Sequence, residues 1–337
     1  MNGSYKKPRV ERITRCFGLT PLKYKWLPSV YRKQAVIRIK TSSGYYALKP
    51  YVRSPLFKTS TIQQITAAAE HIQFLLNTGY GYMPKTLYAD TGKLWTVRGG
   101  TPYYMTEWVH GRALKQSADY VKLGRAMAAL HQSTSDGVRT RKAGLFTLNQ
   151  IRLMKMQHRH FLSDKSGAVQ KNAKYRRWYR QYCSECQSLS ERSWAEIKEA
   201  AVADLLQDEG SRPALIHGDI TSANVIISDD GRLYLIDWDR VRLGSIYVEA
   251  ARTLANTTQF NPEFIQALLM GYEEVRPLNQ TERKLISALF RLPREAWLAA
   301  RFPQGKKCNE LIENMTITWP DRLKAAQWLE EWARLIK

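Results

Sequence analysis

Cysteine is scarce. Cys16, Cys183, Cys186 and Cys308 are the four in 337 residues, too few and too scattered for a disulfide framework in a chain of this length. No apolar run approaches the roughly 20 residues that a bilayer-spanning helix needs. The N-terminal stretch MNGSYKKPRVERITRCFG lacks the apolar centre of a secretory signal. There is neither an internal repeat nor a low-complexity tract, which excludes solenoids and arrays. Acid is short too: 30 Asp and Glu stand against 52 Lys and Arg, a formal charge of +22. The expectation is a soluble, cytoplasmic protein.

What is present argues for a folded globule. Hydrophobic residues make up 44% of the chain and ten are tryptophan, and the length is enough for two lobes, each with its own core. The excess positive charge predicts a surface that attracts polyanions. Part of it is local. Residues 152–192 hold ten Lys or Arg against three acids, with aromatics interleaved in KYRRWYRQY. Such a run is either a patch for an anionic partner (nucleic acid or a membrane surface) or the solvated side of a helix.

The first hundred residues read mostly as strands. AVIRIKTSSGYYALKPY forms two strands joined at 41–44 by serine and glycine. STIQQITAAAEHIQFLLNTG then repeats apolar residues at steps of three and four, from Ile62 to Leu76, with Ser60 or Thr61 to start a helix and Gly79 to end it. KTLYADTGKLWTVRGGTPYYMTEWV returns to three short strands. After Trp108 the pattern turns helical: DYVKLGRAMAALHQST is one helix, and another helical stretch covers 148–206 with a break at 163–167. The fold class is therefore α+β, a small strand-rich N-terminal lobe (1–107) and a larger, mostly helical C-terminal lobe (108–337). Ligands favour such a seam.

The segment LIHGDITSANVIISDDGRLYLIDWD, residues 215–239, carries the chemistry. Asp219 follows a short apolar run and a glycine, and Asn224 lies five residues on, before the apolar VII. Asp-Asp-Gly at 229–231 turns the chain, and LYLID returns beside the first run to deliver Asp237. Two carboxylates and an amide oxygen converge. Hard oxygen donors of this number suit Mg²⁺, which takes its remaining ligands from phosphate and water. A carboxylate free of the metal can accept a proton from a hydroxyl. This is the equipment of phosphoryl transfer. The alternative, acids that merely cap turns, fits Asp229 and Asp230.

HGDITSAN followed by LIDWD resembles the signature of the aminoglycoside phosphotransferase and choline kinase superfamily, a branch of the protein-kinase-like fold. Within it the chain looks most like CotS-type spore-coat kinase-like proteins, over about residues 31–255. The resemblance implies Asp219 as catalytic base and Asn224 and Asp237 as Mg²⁺ ligands. It implies Lys49, in YYALKPY, on the α/β-phosphates of ATP, with Glu70 as its ion-pair partner. In the hinge YMTEWVHG, backbone groups of Glu107 and Val109 would meet adenine. His131 would be structural, and His217 would fasten the catalytic loop from within. The residues agree independently at Lys49: an ammonium on an apolar strand needs an anionic partner unless the strand is an edge facing water.

The sequence departs from the family in two places. LPSVYRKQAV stands where glycines would cover the phosphates, leaving Ser29 and backbone amides to serve. GSIYVEAARTLA replaces the usual glycine-proline-aspartate-leucine, so Glu249 would take the aspartate's structural place. CSEC at 183–186 has metal-ligand spacing but no second pair, and His158 and His160 flank an arginine in a basic stretch.

Three functions follow. One is a kinase moving the γ-phosphoryl group of ATP to a hydroxyl of a small-molecule or saccharide acceptor with Mg²⁺. The second is a silent kinase-like protein of a spore coat, which would place it there and not in the cytoplasm. The third is a nucleic-acid-associated protein, without sequence-specific recognition, that uses the basic segment. Intact Asp219, Asn224, Asp237 and Lys49 favour the first. A basic insert disfavours polycationic acceptors, since like unit charges about 4 Å apart repel by roughly 4 kcal/mol at an effective dielectric near 20. A neutral or anionic acceptor is expected.

Overall fold

Residues 7–29, 32–51, 61–133, 144–211, 213–304 and 306–335 are described by a computed structural model. In chain order they begin with α1 (Lys7–Arg15), β1 (Lys23–Ser29), β2 (Arg32–Thr41), β3 (Gly44–Pro50), α2 (Ile62–Asn77), β4 (Thr96–Arg98), β5 (Thr101–Glu107) and β6 (Gly111–Arg112). There follow α3 (Ser117–Gln132), α4 (Gly144–Leu162), α5 (Ala168–Lys171), α6 (Ala173–Ile197), α7 (Ala200–Ser211) and β7 (Ala214–Ile216). The rest is β8 (Val225–Ser228), β9 (Leu233–Leu235), β10 (Arg242–Gly244), α8 (Ile246–Thr257), α9 (Pro262–Val275), α10 (Gln280–Arg291), α11 (Arg294–Arg301) and α12 (Lys306–Arg334). The fold is α+β, with its large sheet early and its helices late. Among the described residues no helix is long and apolar enough to cross a membrane.

The chain divides into two compact units, the first formed by Met1–Leu114, His217–Asp219 and Ala223–Arg242. Its main sheet is antiparallel, in the order β1-β2-β3-β5-β4. The hairpin expected at 41–44 closes on the pair Thr41 and Gly44. One sheet face buries Ile37, Ile39, Leu48, Tyr103 and Met105 against Val10, Ile13 and Phe17. Helix α1, which supplies Val10 and Ile13, was not anticipated; their spacing was a signal, faint among the charges of KPRVERITR. Because strand residues alternate between faces, Leu48 in this core sends Lys49 to the other face, beside its cross-strand partner Tyr104. Of the three strands expected between Lys85 and Val109, β4 and β5 form, and the third is reduced to a bridge between Thr86 and Thr106.

Helix α2 starts as expected. Thr61 caps it in a reciprocal box with Gln64, and Ile65, Ala68, Ala69, Ile72 and Leu75 are buried. A smaller sheet, β6-β8-β9, completes this unit, with Val225 opposite Leu235. The stretch expected to replace a glycine-rich loop reaches residues 30–31, which lie outside the described residues, as does the side chain of Ser29.

The second unit comprises Lys115–Ile216, Ile220–Ser222 and Leu243–Lys337. Helices α3 and α9 pack backbone to backbone, since a β-carbon on Gly124 would stand 2.0 Å from Leu268 O and one on Gly271 2.1 Å from Val121 O. The break expected at 163–167 is present: α4 ends at Leu162, and the Asp164 carboxylate accepts from the amide of Ala168 at 2.8 Å. The basic segment is amphipathic. Tyr175 and Trp178 are buried, and Trp178 lies edge-on to Trp319 of α12 at 5.8 Å, while Arg177 and Arg180 are exposed. The interleaved aromatics of KYRRWYRQY therefore include core residues and do not form an outward stacking surface with the bases.

Glu209 of α7 links two helices of this unit. It is buried, and its Oε1 accepts from the Ile246 amide that opens α8 at 2.7 Å, while Oε2 has no partner among the described residues. Burial pushes its carboxyl up to about 7, against the opposing bonds from Ser245, Ile246 and Tyr247. A folded pKa above the unfolded one means the folded state holds the proton more tightly. Its stabilising contribution is full below about pH 4.5 and is lost as pH rises through about 7. Glu209→Gln, which cannot ionise, should flatten urea-denaturation stability across that window by at most about 3 kcal/mol relative to wild type. Parallel stability–pH curves for the two proteins would contradict the assignment.

Candidate active site

Within the first unit, β3 and β5 present Lys49 and Tyr104 as a cross-strand pair, and the end of β9 delivers Asp237 to them. Lys49 Nζ lies 2.5 Å from Asp237 Oδ1, and the Tyr104 hydroxyl donates to the same oxygen at 3.1 Å. Tyr51 packs on the Tyr104 ring, centroids 4.6 Å apart. Burial works against the Asp237 charge, but the Lys49 ammonium and its hydrogen bond, His217, and the Tyr104 hydroxyl together hold the carboxyl below the usual carboxylate range. Burial and the Asp237 and Asp239 charges raise the Tyr104 hydroxyl, which therefore stays a donor. Asp237 has φ 71°, a left-handed conformation that a short acid tolerates and that accumulates at functional sites. Next to it, burial and then the Asp237 charge push Asp239 up to about 7.

The loop before β8 is held from inside, as expected of His217. This ring is fully buried, its Nε2 lies 3.0 Å from Ile236 O, and its Nδ1 accepts from the Asp219 amide at 3.3 Å. These partners assign the proton to Nε2. Gly218 has φ +81°, and a β-carbon there would lie 2.7 Å from Arg240 O, so glycine is required. The loop side chains then diverge. Asn224 donates Nδ2 to Asp219 O at 2.9 Å, and Oδ1 is the acceptor end of that amide. The Asp219 carboxylate leaves toward Arg240, whose Nη1 lies 3.3 Å from Oδ1, both side chains about one-quarter exposed. Sequence reasoning missed Arg240 and Tyr104. Arg240 was legible only as part of the basic excess, and Tyr104 only once the β3–β5 register is known.

Glu70 is the expectation that the structure corrects. Lys49 pairs with Asp237, and Glu70 is exposed on α2. The cause is helical phase: Ala69 and Ile72 define the buried stripe, and one residue along an α-helix turns the side chain by about 100°. In the hinge stretch, the Glu107 amide donates to Lys85 O at 2.9 Å, so that amide is already engaged. Among the described residues no group of three or more His, Cys, Asp or Glu side chains is arranged to hold a metal ion. A cation in this loop would use Asn224 Oδ1 and the ionised Asp237, hard oxygen donors that fit Mg²⁺ with phosphate and water completing the shell.

In the second unit His131 is buried between Tyr272 (Nδ1 to the hydroxyl, 2.8 Å) and Glu249 (Nε2 to Oε2, 3.1 Å), a structural bridge across three helices. Ile220 and Ser222, which continue the loop beyond Asp219, rest on α8. The Ser222 hydroxyl donates to Asn256 O at 3.2 Å, and Asn256 Nδ2 to Ile220 O at 3.5 Å.

Residues 34–285 match the model of the phosphotransferase enzyme family, APH. None of the curated proteins matches. Among solved structures the chain is similar to an aminoglycoside phosphotransferase from Alicyclobacillus acidocaldarius, with TM-score 0.76 and 16% identity over 96% of this chain and 95% of that one. It is similar to a spectinomycin phosphotransferase crystallised with ADP and spectinomycin, with TM-score 0.61 and 15% identity over 96% and 93%. A third is the choline kinase LicA from Streptococcus pneumoniae, with TM-score 0.50 and 17% identity over 96% and 98%. At such identities the likeness is one of fold.

Proposed function

The chain belongs to the phosphotransferase enzyme family, and on that premise we propose that it moves the γ-phosphoryl group of ATP to a hydroxyl of a small-molecule or saccharide acceptor. The carrying observation is Asp237, held ionised by Lys49 at 2.5 Å in the same compact unit as Asp219 and Asn224. The ADP and AMP in the crystals of its structural relatives support a nucleotide site. In this reading residues 1–107 form the nucleotide lobe and 108–337 the acceptor lobe, with 217–219 and 223–242 folded into the first unit. The Glu107 carbonyl and Val109 meet adenine, and Lys49 turns from Asp237 to the α/β-phosphates. Asn224 and Asp237 would hold Mg²⁺, which when bound would supply charge neutralisation at the phosphates. Asp219 orients the acceptor hydroxyl and takes its proton. Arg240, 3.3 Å from Asp219 Oδ1, keeps that carboxylate aimed until the hydroxyl arrives.

The basic composition supports a neutral or anionic acceptor, although the relatives named above include enzymes for cationic substrates. The CotS-type coat reading, and with it a spore-coat location, draws no support from the comparisons, and it would leave a complete set of Lys49, Asp219, Asn224 and Asp237 idle. The test is ADP release from Mg-ATP with neutral sugars, sugar acids and aminoglycosides. Release with the first two classes and not the third is expected. No release above the Asp219→Asn background with any of them would remove the kinase reading.

A further inference from the structure

Helix α4 turns two unlike kinds of side chain outward together. Arg152, Leu153, Met156 and Arg159 recur at steps of three and four and so share one face. The opposite face buries Met154, His158 and Phe161. On the outward face Leu153 is 47% exposed and Met156 41%, and both arginines are exposed beside them. A single exposed apolar side chain is ordinary. Among the described residues, however, no other helix shows two large ones one turn apart.

No acid of this segment answers the charge. Neither Arg152 nor Arg159 makes a side-chain hydrogen bond or ion pair with a described residue. Residues 149–180 hold nine Lys or Arg and one acid, Asp164. That carboxylate is occupied in the turn after α4, where it accepts from the amides of Ala168 at 2.8 Å and Val169 at 3.2 Å. Lys165, exposed just beyond the same helix, extends the positive surface.

The mixture of side chains selects the partner. An anionic bilayer offers headgroup phosphate directly above acyl chain, so guanidinium groups and apolar side chains on one helix face are satisfied at once. Duplex nucleic acid offers phosphate to the arginines but no apolar layer to Leu153 and Met156. Single strands are held by stacking on outward aromatic rings, and Tyr175 and Trp178 of the basic segment are buried.

We propose that the outward face of α4, through Arg152, Leu153, Met156 and Arg159, lies on the surface of an anionic lipid bilayer. The surface is contained within the second unit and does not rest on the kinase reading. Co-sedimentation with vesicles of phosphatidylcholine, alone or mixed with phosphatidylglycerol, tests it, with random-sequence duplex DNA as the competing polyanion. Wild type should bind the mixed vesicles, not phosphatidylcholine alone, and should bind less as salt rises. Arg152→Gln with Arg159→Gln should weaken binding by roughly 30-fold, about fivefold for each charge near the surface. Leu153→Ser with Met156→Ser should weaken it by roughly tenfold or more, through lost insertion. All four positions are exposed, so both pairs should melt close to wild type. Lys198→Gln with Lys324→Gln removes the same charge from exposed sites off α4 and should bind like wild type. No binding to the mixed vesicles, or equal binding by all four proteins, would overturn the proposal. So would an equal loss in the lysine control, which makes the effect one of net charge. Loss in the arginine pair without loss in the serine pair, with duplex DNA bound more tightly than vesicles, would assign the face to nucleic acid instead.

Discussion

Asp219→Asn should lower γ-phosphoryl transfer by about 10²–10⁴-fold, the usual contribution of a positioned proton acceptor, while the affinity for Mg-ATP changes little. Asparagine keeps the shape and a hydrogen-bonding oxygen but cannot take a proton. Stability should barely respond. The ion pair it loses, with Arg240 at 3.3 Å, is about one-quarter exposed on both sides, and such pairs contribute under about 1 kcal/mol. The combination separates catalyst from scaffold. A rate loss with unchanged melting temperature and unchanged nucleotide affinity assigns a transition-state role. Identical turnover by wild type and variant would return the protein to the structural class.

Asp237→Ala should abolish the Mg²⁺-dependent part of thermal stabilisation by ATP. Saturating ligand at 100 times its dissociation constant contributes about 2.7 kcal/mol in all, and the Mg²⁺-dependent share of this increment is what the variant loses. Alanine also strands two donors, the Lys49 ammonium and the Tyr104 hydroxyl, which both face Asp237 Oδ1. Leaving a buried hydroxyl without an acceptor costs about 1–3 kcal/mol, so the unliganded variant should melt lower. Asp237→Asn separates the two effects. It retains an acceptor for Tyr104 while removing the charge, so it should melt closer to wild type yet still lose the Mg²⁺ response. An undiminished Mg²⁺-dependent shift in both variants would withdraw Asp237 from the cation site.

The central segment was readable because its chemistry is local. Asp219, Asn224 and Asp237 sit on one loop and one hairpin, and a turn at 229–231 with alternating apolar runs is enough to bring them to the same end. Lys49 was readable for a different reason: a charge on an apolar strand demands a partner. Which partner was not readable. A strand places Lys49 by period two, but the choice between Glu70 and Asp237 depends on the rotation of α2, and the apolar pattern of IQQITAAAEHIQFLLN leaves Glu70 next to the buried stripe. The alanines at 67–69 blur that phase, since they are accepted on either face of a helix.

Composition and spacing therefore settled the α+β class, the capped start of α2, the turn at 229–231 and the need of Lys49 for an anion, because each follows from neighbours within one turn, one strand or one loop. The LYLID run, expected beside 214–216, pairs instead with β8, and β7 pairs with β10. Tertiary packing settled the rest. Tyr104 meets Asp237 through the register of β3 on β5. Tyr175 and Trp178 turn from surface to core through α6 lying against other helices. Side chains far apart along the chain acquire partners, burial and altered basicity only from what packs against them, and no local pattern encodes that.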